Sequence, residues 1–380
     1  MSNGISVVKR DGSVESLNLD KVHAMVELAC EDLAGVSSSQ VEMNSGIQFY
    51  DGIKTEDIQE ILIRSANDLI SLDTPNYQYV AARLLLFGLR KAVFGYHPDK
   101  PPILYNHICK CVDHGMYDEE LLTVYTEEEW EEIESYVDHD RDYLFTYAGL
   151  RQVCDKYLVQ DRSTGYLFET PQQMYIMIAA TLFSKYPKDT RLEYVRRYYE
   201  AISTHKINIP TPVMAGVRTP LRQFASCVLV DVDDTLDSIF SSDMAIGYYV
   251  AQRAGIGINA GRIRGINAKI RGGEVQHTGV VPFLKKFEAT VRCCTQNGIR
   301  GGSATVHFPI WHQEIEDIIV LKNNKGTEDN RVRKLDYSIQ LSKLFYERFI
   351  QDKEITLFSP HDVPNSVSYT HLRAHETIHY

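Results

Sequence analysis

Apolar and polar positions alternate along VVKRDGSVESLNLDKV around an Asp11-Gly12 turn, which predicts a β-hairpin. Asn18 or Asp20 can then cap a helix whose apolar positions are Val22, Met25, Val26, Ala29 and Leu33. A second helix is expected after Thr55, with Glu56 and Asp57 in its first turn and Ile58, Ile61, Leu62 and Leu69 on one face. A third should follow Thr74-Pro75 and run to about Lys91, carrying Val80, Ala81, Leu84 and Leu85. Residues 1–95 thus read as one small unit, a hairpin with a few helices.

From about residue 100 to 205 the pattern is mostly helical and rich in Tyr. KYLVQDRSTGYLFET interrupts it as an expected hairpin turning at Ser163-Thr164-Gly165, and Thr170-Pro171 opens another helix in cap-then-proline order. This stretch reads as scaffold. After about residue 222 short apolar runs (CVLV, GIGIN, ATVHF, ITLF) alternate with helical ones (VPFLKKFEATVRCC, HQEIEDIIVLKN, LSKLFYERF). That alternation predicts an α/β domain with its chemistry in the loops at strand ends. The loops NAGRIRG, IRGGE and TQNGIRGGSAT are dense in Gly, Arg and Asn.

Composition narrows the function classes. The 380 residues carry 40 basic and 51 acidic side chains, a net charge of −11, which argues against nucleic acid or an anionic membrane as the main partner. Nucleotide binding stays open, because it needs only a local basic cluster. MSNGISVVKRDG contains no apolar run, so no secretory signal is expected, and no run is long enough to span a membrane. The cysteines (Cys30, Cys109, Cys111, Cys154, Cys227, Cys293, Cys294) are odd in number and scattered. They suit neither a disulfide framework nor four-ligand zinc, and a reducing cytoplasm is the expected location.

Several residues could carry chemistry. Lys9, Arg10 and Lys21 flank the hairpin and a capped helix start, a plausible phosphate seat, although surface lysines usually bind nothing. NGIRGGSAT (297–305) is neither a Walker A loop nor a GxGxxG; it could let backbone approach a ligand or simply start a strand tightly. Cys227, opening an apolar run, is read on its own as a small core residue before it is read as a reactive thiol. The terminal HETIHY has the His375-Glu376-x-x-His379 spacing of a zinc peptidase, but Tyr380 alone follows, with no room for a downstream third ligand.

The order of VVKRDGSVESLNLDKVH, FYDGIKTEDI, NYQYVAARLLLFGLRK, PTPVMAGVRTP, RQFASCVLVDVDDTLDSI, QRAGIGINAGRIRGINAKIRGGE, NGIRGGSATVHFPIWH, LKNNKGTEDNRVRKLDYSIQ and ITLFSPHDVP strongly resembles one family. It is the large subunit of aerobic (class I) ribonucleotide reductase, in the bacterial and phage form with an N-terminal ATP cone. The resemblance runs from about residue 5 to 364. It implies an α+β and α/β fold: an ATP cone at 1–95 (β-hairpin plus helices), a mainly helical domain at 96–221, and the first part of a ten-stranded α/β barrel at 222–365.

On that resemblance the cone would hold ATP or dATP with Lys9, Glu15, Ser16, Leu17, Asn18, Leu19, Asp20, Lys21, Thr55 and Lys91; Arg10 joins on charge grounds. Gln59 stands where related cones often carry His. A deoxynucleoside triphosphate effector that selects the substrate would use Asp234, Thr235 and Leu236, with Arg264 and Arg271 on its phosphates. The loop from Gln296 to Gly302, with Arg300, would relay the choice. Thr211 and Ser226 would contact the ribonucleoside diphosphate, and Cys227 would be one of two reducing thiols. Implied partners are a metal-containing small subunit that supplies the radical, thioredoxin or glutaredoxin as reductant, and a second large subunit; no metal is expected in this chain.

Family members continue well past this point. The expectation is therefore a chain that lacks the radical cysteine and the second reducing thiol and does not catalyse the reaction alone. An incomplete barrel with bare strand edges is also expected to aggregate. Residues 366–380, which include SYTHLRAHET, read as a non-native tail. The alternatives are a stand-alone nucleotide-binding regulatory fragment and, far less favoured, a zinc metallopeptidase.

Overall fold

The N-terminal hairpin forms as the alternation predicts: β1 (Ser6–Val8) pairs antiparallel with β2 (Val14–Ser16), Val8 opposite Val14. Its turn is held by Asp11, whose carboxylate accepts from the Ser13 amide at 2.9 Å and hydroxyl at 2.6 Å, and by Gly12 at φ +84°. The computed structural model describes residues 5–46, 48–95, 100–296 and 300–363. The chain divides into two units, residues 1–224 and 225–380.

In the first unit, Asn18 caps α1 (Leu19–Cys30) by accepting from the Lys21 amide at 3.1 Å. Then come α2 (Ser38–Gly46), β3 (Ile53–Lys54), α3 (Thr55–Asp68) and α4 (Tyr77–Phe94). β3 lies parallel to β1, giving the sheet order β2-β1-β3. Val26, Val41, Ile53, Leu62, Val80 and Leu84 bury completely in the core beneath this sheet and its helices.

The helical part contains α5 (Leu104–Asp113), α6 (Leu121–Val124), α7 (Glu127–Ser135), α8 (Tyr147–Lys156), α9 (Pro171–Phe183), α10 (Arg191–Ser203) and α11 (Thr211–Gly216). α9 is mostly apolar, and Pro171 to Ala180 are buried without a gap, so it forms the axis of a second core. The hairpin expected at residues 156–170 shrinks to one bridge, Gln160 to Leu167. The Asp161 carboxylate gathers the Ser163 amide (2.8 Å) and the Ser163 and Thr164 hydroxyls into a tight turn, while Glu169 takes the Val159 amide at 2.7 Å. Two backbone bonds flank the bridge, the Asp161 amide to the Tyr166 carbonyl and the Phe168 amide to the Val159 carbonyl, both 2.9 Å, and the ladder stops where Glu169 takes the Val159 amide.

The second unit contains β4 (Cys227–Asp231), α12 (Leu236–Ala251), β5 (Gly255–Asn259), β6 (Lys269–Ile270), β7 (Val275–Gln276) and α13 (Val281–Cys293). There follow β8 (Thr295–Gln296), β9 (Arg300–Gly301), β10 (Ala304–Pro309), α14 (Ile315–Ile318), β11 (Asp336–Gln340) and α15 (Lys343–Ile350). β11-β10-β5-β4 form a parallel sheet, as expected of an α/β unit. Two expectations are corrected. The last strand is DYSIQ; ITLF contributes only a bridge from Phe358 to His312, because Phe358 stacks on Trp311 (centroids 4.6 Å apart) and Pro360 follows. The helix expected along HQEIEDIIVLKN is confined to Ile315–Ile318.

The sheet has two unlike faces. Val228, Val230, Ile256, Ile258, Val306 and Phe308 turn into a core shared with α12 and α13. The register sets Cys227, Leu229 and Asp231 beside Gly255, Gly257 and Asn259, and the latter two beside Thr305 and His307, on the opposite face. There Leu229 is 82 % exposed. Parallel sheets are ordinarily covered on both sides, so this bare, polar and glycine-rich face is unusual.

Among the described residues, no helix is long and apolar enough to cross a membrane.

Candidate functional site

The N-terminal candidates converge. The parallel register puts Val8 opposite Lys54, and Lys9 and Thr55 are the residues that directly follow these two strand ends. Lys9 pairs with Glu15 at 3.1 Å and Arg10 with Glu56 at 3.1 Å. Lys21 follows the Asn18 cap, and Lys91 arrives in the last turn of α4. Burial by its neighbours, then the charges of Arg10, Lys9 and Lys21, hold the Lys91 ammonium below the usual lysine range. Among the described residues neither Lys21 nor Lys91 has an acidic partner within ion-pair distance. Crowded cations with incomplete pairing, beside a helix N-terminus, leave positive potential there that favours an anion. Ser16 ends β2, Leu17 ties back to the Ile5 carbonyl at 2.8 Å, and Leu19 is 62 % exposed beside Asp20 at the start of α1.

Arg10 and Lys91 also border a cleft of about 800 Å³ lined by Glu56, Gln59, Arg151 and Tyr166. Gln59 is not free in it: its amide donates to the Leu84 carbonyl at 2.6 Å, and its Cγ sits where Gly88 leaves room. Sequence reading did not reach Arg151 or Tyr166. They come from α8 and the Asp161 turn, and no local pattern marks two distant segments that meet only on folding.

In the second unit, Asp234, Thr235 and Leu236 form the N-terminal approach to α12, with Thr235 capping it by accepting from the Ser238 amide at 3.1 Å. Arg264 is committed to this corner. Its amide and guanidinium donate to Asp234 at 2.9 and 2.8 Å, and it also donates to the Lys269 carbonyl at 3.0 Å. His361 reaches the same Asp234 carboxylate at 3.6 Å. Arg271 is exposed and in the left-handed region (φ +49°), beside Gly272 at φ +70°. The structure therefore joins Asp234, Thr235, Leu236 and Arg264 in one corner, and it adds His361. Arg262, reaching toward Asp231 (3.5 Å) and Asp233 (3.7 Å), is a second basic group that sequence reading passed over.

Thr211 begins α11 in the first unit, its hydroxyl 3.5 Å from that of Tyr157. Cys227 begins β4 on the bare face of the parallel sheet, exposed and unbonded to another cysteine. Ser226 donates to its Sγ at 3.8 Å, and the Ser226 carbonyl accepts from the Gly255 amide at 2.8 Å. The reading of Cys227 as a core residue is thus corrected: strand alternation turns it away from the core. Gln296 pairs with Arg300 across β8 and β9. Residues 297–299 and the terminal His375, Glu376 and His379 lie outside the described residues. Among the described residues no three His, Cys, Asp or Glu side chains gather as a metal site.

Three family models match in succession: the ATP cone domain over residues 5–92, the ribonucleotide reductase all-alpha domain over 143–222, and the ribonucleotide reductase barrel domain over 225–378. The ribonucleoside-diphosphate reductase 1 subunit alpha of Escherichia coli (strain K12) is 56% identical over 364 residues, 96% of this chain and 48% of that protein. The subunit alpha of Haemophilus influenzae is 57% identical with the same coverage. That of Enterobacteria phage T4 is 47% identical over 97% of this chain and 48% of its own length. The chain spans about half the length of the curated relatives it matches. With cone, all-alpha and barrel domains in that order, it belongs to the family of ribonucleoside-diphosphate reductase alpha subunits.

Proposed function

We propose that the chain is the nucleotide-sensing and first catalytic part of an enzyme that reduces ribonucleoside diphosphates to deoxyribonucleoside diphosphates. The observation that carries this is Cys227, an exposed thiol on the bare polar face of a parallel sheet. Replacing a 2′-hydroxyl by hydrogen consumes two electrons. Two thiols supply them by forming one disulfide, and the hydroxyl leaves as water. Cys227 provides one thiol, the second lies in the remainder of the relatives' length, and Ser226, next to Cys227 in the chain, contacts the substrate. The bare face with its glycines becomes the inside of the completed barrel. Residues 1–95, 96–221 and 222–365 act as regulatory cone, helical domain and barrel portion.

Control comes from two nucleotide sites. ATP or dATP sits among Lys9, Arg10, Lys21, Thr55 and Lys91, whose crowded charges favour a polyphosphate. A deoxynucleoside triphosphate sits at Asp234–Leu236, where Arg264 exchanges part of its hold on Asp234 for phosphate and Arg271 closes from the exposed turn. The β8–β9 pair passes that occupancy to the substrate. The radical comes from a separate metal-containing small subunit, and thioredoxin or glutaredoxin regenerates the thiols in the cytoplasm. A second large subunit docks on α12, where Leu236, Phe240, Met244 and Tyr248 form an exposed apolar row at helical spacing.

The test joins this chain to the remaining half found in its relatives and adds small subunit and a dithiol. Cytidine diphosphate should then be reduced, and Cys227→Ser should abolish dithiol-dependent turnover. Full turnover by the serine variant would remove Cys227 from the mechanism. Calorimetry with dATP on the 380-residue chain, with the Asp234–Leu236 site first saturated by thymidine triphosphate, tests the cone: Lys91→Ala should weaken binding roughly tenfold or more, the loss of one charge-assisted contact.

A further inference from the structure

α13 ends in two adjacent cysteines that the proposed reaction does not use. The sulfurs of Cys293 and Cys294 lie 3.9 Å apart, Cys293 exposed and Cys294 half-buried. Cys293 donates to the Thr290 carbonyl at 3.3 Å. The Cys294 amide closes the last helical turn on the same carbonyl at 3.2 Å, and its sulfur occupies space that Gly247 of α12 leaves open. β8 starts at the next residue.

We propose that Cys293 and Cys294 form an oxidative modification site, converted by a hydroperoxide to a vicinal disulfide and restored by a small dithiol. The Cys293 thiolate attacks the peroxide, the O–O bond breaks, and sulfenic acid forms with water or alcohol as leaving product. The Cys294 sulfur then displaces water from the Cys293 sulfur, forming the S–S bond. Two thiols lose two electrons in all, and the peroxide gains them.

Exposure assigns the attacking role to Cys293. Burial and the neighbouring sulfur push the Cys294 thiol up, so it remains protonated as the resolving partner. The two Cα atoms are joined by one peptide, about 3.8 Å apart, below the usual disulfide range of about 4.4–6.8 Å. The ring they close is strained, which belongs to the easily reduced class of disulfides. Forming it turns the backbone at Cys294, takes its amide off Thr290 and withdraws its sulfur from Gly247. The entrance to β8 is rebuilt at the same time. This inference does not depend on the reductase reading.

The test treats the 380-residue chain with hydrogen peroxide, alkylates it and digests it with trypsin. Cleavage after Arg292 and Arg300 releases CCTQNGIR, which carries both cysteines. The expected peptide is lighter by two hydrogen atoms, resists alkylation and regains both thiols after dithiothreitol. Amide exchange at Cys294 should quicken roughly tenfold as its helical bond is lost. In Cys294→Ser, a sulfenic acid trap should label Cys293; in Cys293→Ser, position 294 should stay unlabelled. Quantitative alkylation of both thiols after peroxide, sulfinic acid on Cys293 of the unsubstituted chain, or a disulfide to any other cysteine would each overturn the proposal.

Discussion

Arg218 and Glu169 have no exposed surface, and neither depends on the other alone. Glu169 also accepts from the Tyr117 hydroxyl at 2.6 Å and the Val159 amide at 2.7 Å; Arg218 also donates to the carbonyls of Met214 at 2.6 Å and Tyr157 at 3.0 Å. Removing one partner strands a buried charge, so Glu169→Gln or Arg218→Met should cost about 3–5 kcal/mol in urea unfolding. Replacing both by apolar residues should cost less than either alone. Asp142 is a different kind of buried group. Its Oδ1 accepts from Gln172 at 3.0 Å, while Arg90 stays 3.7 Å from Oδ2. Burial pushes its carboxyl up to about 7 from an ordinary 3.8, against the pull of Arg90 and Gln172. The folded chain thus keeps a proton that the unfolded chain has lost between those values. Stability from this group is full below the lower value, falls as pH rises through the window and levels off above about 7. Urea midpoints at about pH 5 and about pH 8 should show that fall, and Asp142→Asn should reduce it.

Glycines determine how closely the helices and strands of the second unit approach. A Cβ on Gly302 would collide with the Val291 carbonyl and stand 2.6 Å from Val250 Cγ1. Gly302→Ala should therefore force the start of β10 off both α12 and α13, costing about 1–3 kcal/mol in thermal or urea unfolding. The first-turn chemistry of α1 is a milder case: Asn18→Ala should cost about 1 kcal/mol by the same measurement. These elements also show what could be read in advance. The Asn18 cap, the Asp11-Gly12 hairpin, α9 after Thr170-Pro171 and the strands CVLV, GIGIN and ATVHF follow from local period and capping chemistry. β11 escaped because DYSIQ is half polar and one of its faces is bare, so it lacks the apolar density of its neighbours. Within the proposed sites, the crowding of Lys91 with Lys9 and Lys21 was expected from the family pattern and their charge. Arg151, Arg262 and His361 were not, since each gains its place through tertiary contacts that sequence spacing does not encode.

At the scale of the molecule, the parallel sheet ends, among the described residues, in β4 on one side and β11 on the other, and an edge strand offers unpaired N–H and C=O groups. Together with the exposed row on α12, this should make the chain self-associate at micromolar concentration. Sedimentation velocity checks it, and a monodisperse monomer would contradict it. The strand order has another consequence, for how the sheet is made. β4, β5, β10 and β11 lie side by side in the order in which a ribosome produces them. Each new strand therefore joins the outer edge of its predecessor, and none has to push between two already paired. Between additions the ribosome must deliver an intervening helix or loop, so the sheet grows in steps set by synthesis. During refolding from denaturant, pulse-labelled amides in α9, built on local contacts, should gain protection before those of β10.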